Sequence, residues 1–247
     1  MYQSKKVTAV VPAHNEAPSI GLVVRELIAL RTAEGPVFDR VVVCDNASTD
    51  TTAAIAKEAG ALVVFEPIAG YGRACLKALR HVDSESVVVF VDGDYSVVTA
   101  DIPTLLSKLA EGHALVIGSR LNADCEPGAL TPQQRVGNRL ATWLMRLLWD
   151  SSTSDLGPLR AVRQSTLRAL GMREMTYGWT VEMQAKAIVA GLDVVEVPVH
   201  TRKRIGRSKI SGTIKGTIGA GVGILSTLGK VWLTSLGAKA SPATELK

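Results

Sequence analysis

Short apolar runs alternate with amphipathic segments through the first half of the chain. The apolar runs are rich in valine and lie at 7–11, 41–44, 62–65, 87–91 and 115–117. Segments with helical spacing of apolar residues lie between them, at 20–30, 51–59, 73–80 and 102–109. Continuous apolar strands separated by amphipathic helices are typical of a mainly parallel sheet covered on both faces. We therefore predict an α/β fold with its ligand site at the carboxyl ends of the strands.

The second half of the chain is less regular and ends in a further apolar segment. Helices are predicted at 133–149 and 180–190, and strands at 159–162 and 194–199. A glycine-rich segment at 213–236 then carries apolar residues, several of them at three- and four-residue spacing. These residues are Ile214, Ile218, Val222, Leu225, Val231, Trp232 and Leu236. We predict one domain over 1–211, followed by an amphipathic helical segment with a flexible tail over 212–247.

Basic residues are concentrated near the end of the predicted domain. The chain has 247 residues and a formal net charge of +5. The basic cluster consists of Arg202, Lys203, Arg204, Arg207 and Lys209. Such a cluster predicts a negatively charged partner. Because only 4% of the residues are aromatic and no base-stacking motif accompanies the cluster, it favours a phosphorylated small molecule or an anionic membrane surface over nucleic acid.

The cysteines and the apolar segments indicate in which cellular compartment the protein works. Cys44, Cys75 and Cys125 are odd in number and lack metal-ligand spacing, which favours free thiols in a reducing compartment. The start of the chain lacks the apolar core of a signal peptide, and no run of about 20 apolar residues is present. We expect a cytoplasmic protein, peripheral at the inner membrane surface if its C-terminal segment docks there.

The strongest chemical signal is Asp92-Gly93-Asp94, directly after the apolar run at 87–91. Two carboxylates around one glycine repel each other unless solvent or a cation offsets the charge. Hard oxygen ligands suit magnesium or manganese, which can also bridge diphosphate oxygens. The alternative is an ordinary turn, because Asp-Gly is a favoured turn pair.

Three weaker motifs also follow predicted strands. Residues 12–16 read PAHNE, residues 45–50 read DNASTD, and residues 70–73 read GYGR at the start of a helix. Asp45 could accept hydrogen bonds from a base or a ribose. Each motif alone is also explained by a turn or a helix cap. The glycine motif lacks the third glycine of a dinucleotide fingerprint, which argues against a nicotinamide enzyme.

In their order and spacing, these motifs resemble those of the inverting family-2 glycosyltransferases with the GT-A fold, within them the dolichyl-phosphate mannose or glucose synthase group. The resemblance runs from about residue 7 to 211 and includes Gly118-Ser119-Arg120, Asp155-Leu156-Gly157-Pro158 and the basic stretch 202–209. It implies transfer of a hexose from a nucleotide diphosphate sugar, of the UDP-glucose or GDP-mannose type, with Mg²⁺ or Mn²⁺ as cofactor.

The resemblance also implies roles for individual residues. Asp92 and Asp94 would mark the metal and the diphosphate, and His200 could approach the metal. The implied substrate-binding residues are Pro12, Asn15, Glu16, Asp45, Gly70, Arg73, Arg120, Arg202, Arg204, Ser208 and Lys209. The chain departs from the family pattern at Asn46, where a second Asp is frequent, and at Ile68, where an Asn often precedes the glycines.

Asp155 and Glu182 are the acidic candidates in the acceptor half, where a hydroxyl acceptor would need one of them as general base. Both could equally be anchors of a helix or loop. A phosphate acceptor, with a second pKa of about 6, is already ionised near neutral pH and needs orientation more than proton removal.

We expect a polyprenyl phosphate acceptor. The alternatives are a soluble phosphorylated or hydroxyl acceptor, and a non-catalytic nucleotide-sugar-binding module. The C-terminal segment is predicted to dock on an anionic membrane surface, with packing on the domain or a homo-oligomer contact as the alternative.

Overall fold

One seven-stranded sheet forms the centre of the molecule. The computed structural model describes residues 5–121, 125–206 and 214–240. The strands of this sheet are β1 Val7–Ala13, β4 Arg40–Asn46, β5 Leu62–Glu66, β6 Val87–Phe90, β7 Leu115–Ser119, β8 Arg160–Arg163 and β9 Val194–Pro198. They are arranged in the order β5-β4-β1-β6-β8-β7-β9. β8 runs antiparallel to β6 and β7, and the other described pairs of the sheet are parallel.

Helices cover both faces of this sheet. They are α1 Ala17–Ala29, α2 Thr52–Glu58, α3 Tyr71–Leu79, α4 Ile102–Ala110, α5 Pro132–Trp149, α6 Gln164–Leu170, α7 Trp179–Val189 and α8 Ile214–Ala240. A small hairpin of β2 (Arg31–Thr32) and β3 (Gly35–Pro36) follows α1. The predicted mainly parallel sheet flanked by helices is confirmed, whereas the hairpin and α6 were not predicted.

Two hydrophobic clusters on opposite faces of the sheet explain the continuous apolar runs. In β1, Ala9 and Val11 belong to one cluster and Val10 to the other. In β4, Val43 belongs to the first of these clusters and Val42 to the second. Since successive side chains of a strand point to opposite faces, a strand covered on both faces must be apolar at every position.

The C-terminal helix packs on α5 and α7. Leu228 and Val231 of α8 share a buried cluster with Met145 of α5 and Val181 of α7. Val231 therefore lies in the core and not on the outer apolar face predicted for it. Over the described residues, no helix combines the length and apolar character of a membrane-spanning segment. The predicted domain boundary at 211/212 and the tail after residue 240 lie outside the described residues.

Candidate functional site

Two cavities meet at the carboxyl end of the sheet. The first, about 450 Å³, lies between the ends of β1, β4 and β6 and the start of α3. The second, about 690 Å³, lies between α5, α8 and the segments that follow β7 and β9. Five residues line both cavities: Tyr71, Asp92, Asp94, Tyr177 and Arg204. Two molecules bound in the two cavities would therefore meet at these side chains.

The Asp92-Gly93-Asp94 turn after β6 places two carboxylates in this shared wall. Burial and the neighbouring charge of Asp94 raise the pKa of Asp92 to about 7, although the Tyr71 hydroxyl donates to Asp92 Oδ1 at 3.0 Å. Asp94 accepts from the backbone N–H of Ser96 at 3.0 Å, and its other oxygen lies 3.3 Å from Arg204 Nη2. Asp92 thus has one oxygen in a hydrogen bond, both oxygens of Asp94 have a partner, and the pair retains an unfavourable like-charge interaction.

This pair fits a divalent cation that is bound together with a diphosphate. Mg²⁺ is usually held by one or two carboxylates plus substrate phosphates, not by a complete protein cage. Among the described residues, no three His, Cys, Asp or Glu side chains form a group that could hold a metal ion. His200 lines the second cavity, and its Nδ1 lies 3.1 Å from Asp101 Oδ1. Only its Nε2 could reach a metal, so His200 as a ligand stays a prediction.

Some residues at the ends of β1 and β4 line the first cavity, and others form hydrogen bonds within the loops that support it. Pro12 and Glu16 line the first cavity, and the substrate contacts that the resemblance implied for them stay a prediction. Asn15 does not line it: its backbone N–H donates to Ser48 Oγ at 2.9 Å. Asp45 does not line it either, and its Oδ1 accepts from Ser48 N at 3.3 Å. Asn15 therefore joins the two loops and Asp45 holds the turn after β4, and direct contact with a ligand stays a prediction for both.

The two departures from the family pattern contact each other. The Asn46 amide donates to the carbonyls of Ile68, at 2.8 Å, and Glu66, at 3.2 Å, while its Oδ1 accepts from Gly70 N at 2.7 Å. An aspartate would place a carboxylate oxygen against both carbonyls, so this loop conformation requires the amide. His14 also lines the first cavity and donates from Nδ1 to the Asn46 carbonyl at 2.6 Å. No role was predicted for His14, because a histidine after a strand has no distinctive spacing.

The Gly-Tyr-Gly-Arg motif holds a loop from the other half of the chain. Gly72 N donates to Thr176 O at 3.2 Å, and Arg73 N donates to Met175 O at 2.9 Å. A β-carbon on Gly72 would overlap the Glu174 carbonyl, so the glycine permits this close approach. Gly70 lines the first cavity, Arg73 lines neither cavity, and substrate binding by Gly70 stays a prediction. The motif thus positions the loop that carries Tyr177 into the shared wall.

Asp155 was a predicted base, but the structure places it away from both cavities. Its side chain is fully buried, with Oδ2 2.9 Å from Arg120 Nε and Oδ1 2.7 Å from Arg120 Nη2. Oδ2 also accepts from the backbone N–H of Arg120 at 2.8 Å. Arg120 itself lines the second cavity. Asp155 therefore fixes the guanidinium of Arg120 and has no contact with the space where an acceptor would bind.

Glu182 is likewise an anchor in this structure. Its carboxylate accepts from the backbone N–H of Arg173 at 3.0 Å and of Glu174 at 2.8 Å, and lies 2.8 Å from Lys186 Nζ. It lines neither cavity. The loop it holds leads directly to Tyr177. A base role for Glu182 has no support in this arrangement.

In the basic segment after β9, Arg202 contacts other parts of the protein and Arg204 faces the site. Arg202 stacks on the Tyr95 ring at 4.3 Å and lies 3.1 Å from Glu26 Oε1, outside both cavities. Arg204 lies in the shared wall, with Nη2 3.4 Å from Glu16 Oε1. Of the predicted phosphate-binding residues, Arg204 reaches the site and Arg202 anchors the segment. Ser208 and Lys209 lie outside the described residues.

Replacing Asp155 with asparagine tests the anchor role. We expect the free energy of unfolding to fall by about 3 kcal/mol, because Arg120 would keep a largely buried charge without its counter-charge. Asp193→Asn is the control, since Asp193 forms an exposed pair with His113 and should contribute little. Urea denaturation measures both variants. Unchanged stability together with lost activity would restore Asp155 as the base.

The chain is similar in sequence to glycosyltransferases. The profile described as Glycosyl transferase family 2 matches residues 8–171. An uncharacterized glycosyltransferase of Mycobacterium tuberculosis is 35% identical over 214 residues, which cover 86% of this chain and 93% of that protein. The dolichyl-phosphate hexose transferase of Haloferax volcanii is 29% identical over 213 residues, which cover 85% of this chain and 88% of that protein.

The fold of the chain is also similar to that of an experimentally determined protein structure. Glucosyl-3-phosphoglycerate synthase from Mycobacterium tuberculosis, in complex with Mn²⁺, UDP and phosphoglyceric acid, superposes with a TM-score of 0.72. The two sequences are 21% identical, and the match covers 98% of this chain and 81% of that chain. At this identity, the similarity is one of fold.

Proposed function

Since the chain belongs to glycosyltransferase family 2 and has the GT-A fold, we propose that it moves a hexose from a nucleotide diphosphate sugar to a polyprenyl phosphate, with Mg²⁺ or Mn²⁺ as cofactor. The observation that carries this proposal is the pair of cavities with one shared wall. A donor in the first cavity and an acceptor in the second would meet at Asp92, Asp94 and Arg204. A binding module would need only the first cavity.

The groups in the shared wall suit a diphosphate leaving group. Asp92 and Asp94 would hold the cation, which when bound neutralises charge on the departing nucleotide diphosphate. Arg204 adds a guanidinium that can form two parallel hydrogen bonds to phosphate oxygens. The acceptor oxygen would form its bond to the anomeric carbon as the bond to the diphosphate breaks on the opposite face, which inverts the configuration.

The lining of the second cavity favours an acceptor that is already ionised. Its acidic lining residues, among those described, are Asp92 and Asp94, and both are assigned to the metal. Its cationic residues are Arg120, which Asp155 fixes, and Arg204. Two cations without a separate carboxylate base suit a phosphate, whose second pKa is about 6. The dolichyl-phosphate hexose transferase of Haloferax volcanii is a relative whose name gives this acceptor class.

A donor and acceptor panel tests the proposal. Purified protein with Mn²⁺ would be incubated with UDP-glucose or GDP-mannose, and with either a polyprenyl phosphate in detergent or phosphoglyceric acid. We expect a glycosylated polyprenyl phosphate with one of the donors and a far higher kcat/KM than for the soluble acceptor. More efficient transfer to phosphoglyceric acid would replace the lipid acceptor with a soluble one. Donor binding without turnover on any acceptor would favour the binding module.

A further inference from the structure

Helix α5 presents an exposed apolar stripe bordered by arginines. Its apolar residues follow helical spacing and are all exposed: Val136, Leu140, Trp143 and Leu147. Arg135, Arg139 and Arg146 are also exposed and form a row along one side of that stripe. An apolar stripe beside a basic row is the pattern of a helix that lies in a membrane interface.

Helix α8 continues this surface. Exposed apolar residues recur along one side of the helix: Ile218, Val222, Leu225, Trp232, Leu233 and Leu236. Leu228 of α8 and Met145 of α5 share one buried cluster, so the two helices are packed together. The arginine row of α5 borders this surface, and the sequences of the two helices contain no acidic residue. The two helices together therefore form one apolar and basic face.

This face adjoins the second cavity. Val136 belongs both to the α5 stripe and to the cavity lining, and Gly137 lines the cavity beside it. From α8, Ala220, Gly221 and Ile224 line the opposite side. An acceptor with an apolar tail could place its phosphate near Arg120 and Arg204 while the tail leaves between α5 and α8.

We propose that the exposed face of α5 and α8 docks on an anionic lipid bilayer, with the arginine row of α5 against the headgroups. The inference rests on the proposed function only for the identity of the acceptor, because docking requires neither donor nor acceptor. The charge of the face favours lipid over a second copy of the chain. In a two-fold dimer through this face, the arginine rows would meet without an acidic residue on either helix to pair with them.

Vesicle binding tests the docking surface without any sugar nucleotide. Full-length protein would be mixed with phosphatidylcholine vesicles that contain or lack phosphatidylglycerol, and bound protein measured by flotation. We expect binding to the anionic vesicles that falls with rising salt. The triple variant Arg135→Gln, Arg139→Gln, Arg146→Gln should bind roughly a hundredfold more weakly, at about fivefold for each arginine.

A matched pair of substitutions tests the apolar stripe. Trp143 is 58% exposed and Phe65, on the sheet edge strand β5, is 55% exposed. Trp143→Glu should weaken vesicle binding at least tenfold, and Phe65→Glu should leave it unchanged. Equal binding by wild type, the triple variant and Trp143→Glu would overturn the proposal. A dimer in sedimentation that Trp143→Glu abolishes, without vesicle binding, would assign the face to a second copy.

Transfer in detergent separates this inference from the proposed function. The vesicle-binding variants should keep wild-type transfer to detergent-dispersed polyprenyl phosphate, because none of the three arginines nor Trp143 lines either cavity. If the wild-type protein bound vesicles but transferred no sugar to polyprenyl phosphate, the acceptor assignment would be wrong and the docking surface would be supported. If it transferred sugar but did not bind vesicles, the docking surface would be wrong and the acceptor assignment would be supported.

Discussion

Asp94→Asn should lower the rate of sugar transfer by about a thousandfold, with the protein still folded. The substitution removes a carboxylate that we assign to the divalent cation, and such a cation supplies several kcal/mol of stabilisation to the charge on the leaving group. Asparagine keeps an oxygen that can accept from Ser96 N, so the turn after β6 should survive. Single-turnover kinetics with Mn²⁺, together with calorimetric titration of Mn²⁺ in the presence of UDP, would measure the two effects.

Asp193→Asn is the control for Asp94→Asn, because it makes the same chemical change at the amino end of β9, away from the carboxyl ends of the strands. Asp193 pairs with His113 before β9 and lines neither cavity, so this variant should transfer sugar at the wild-type rate. His200→Asn would test the third metal ligand, and a fall in Mn²⁺ affinity would support it. Full turnover of the wild-type protein in excess chelator would contradict the metal assignment altogether.

Arg204→Met should lower the transfer rate by about a hundredfold, the cost of losing one fixed donor to a developing negative charge. Glu16 and Asp94 hold its guanidinium at the junction of the two cavities. Its Nε is buried and has no hydrogen-bond partner among the described residues. Steady-state kinetics should show most of the loss in kcat, since charge develops as the diphosphate departs.

Two further variants separate charge from geometry at this position. Arg204→Lys keeps the charge and loses the planar fork, so we expect an intermediate rate. Lys203→Met removes a charge from the adjacent exposed residue, which lines neither cavity, and should leave the rate near wild type. If Lys203→Met and Arg204→Met reduced the rate equally, the basic segment after β9 would act through its net charge and not through the specific position of the Arg204 guanidinium.

The apolar pattern was sufficient for the class of fold, and the resemblance of the ordered motifs to a known family gave the family and the enzyme class. All three predictions are confirmed. A strand with helices on both faces must be apolar at every position, and such runs are visible without knowledge of their partners. The antiparallel β8 was predicted only as a strand, since four residues, Arg160–Arg163, carry no mark of direction. Helix α6 is seven residues long, too short for a clear apolar period.

The sequence also located the strand ends where chemistry collects, because parallel strands bring their carboxyl ends to one edge. Asp92, Asp94, Glu16 and Gly70 line the cavities there. Which of the remaining polar residues face a ligand depended on partners far away in the chain. Arg202 is held by Glu26, 176 residues before it.

Acidic residues show the same limit most clearly. Asp155 and Asp94 are both candidate site residues in the sequence, yet Asp155 is fully buried against Arg120 and Asp94 lies in the wall of both cavities. Residue type and strand position determine where a carboxylate stands along the sheet. Its role depends on the tertiary surroundings. Both oxygens of Asp155 accept from Arg120 and the side chain lines neither cavity, whereas Asp94 and its partner Arg204 both line the cavities where a ligand would bind.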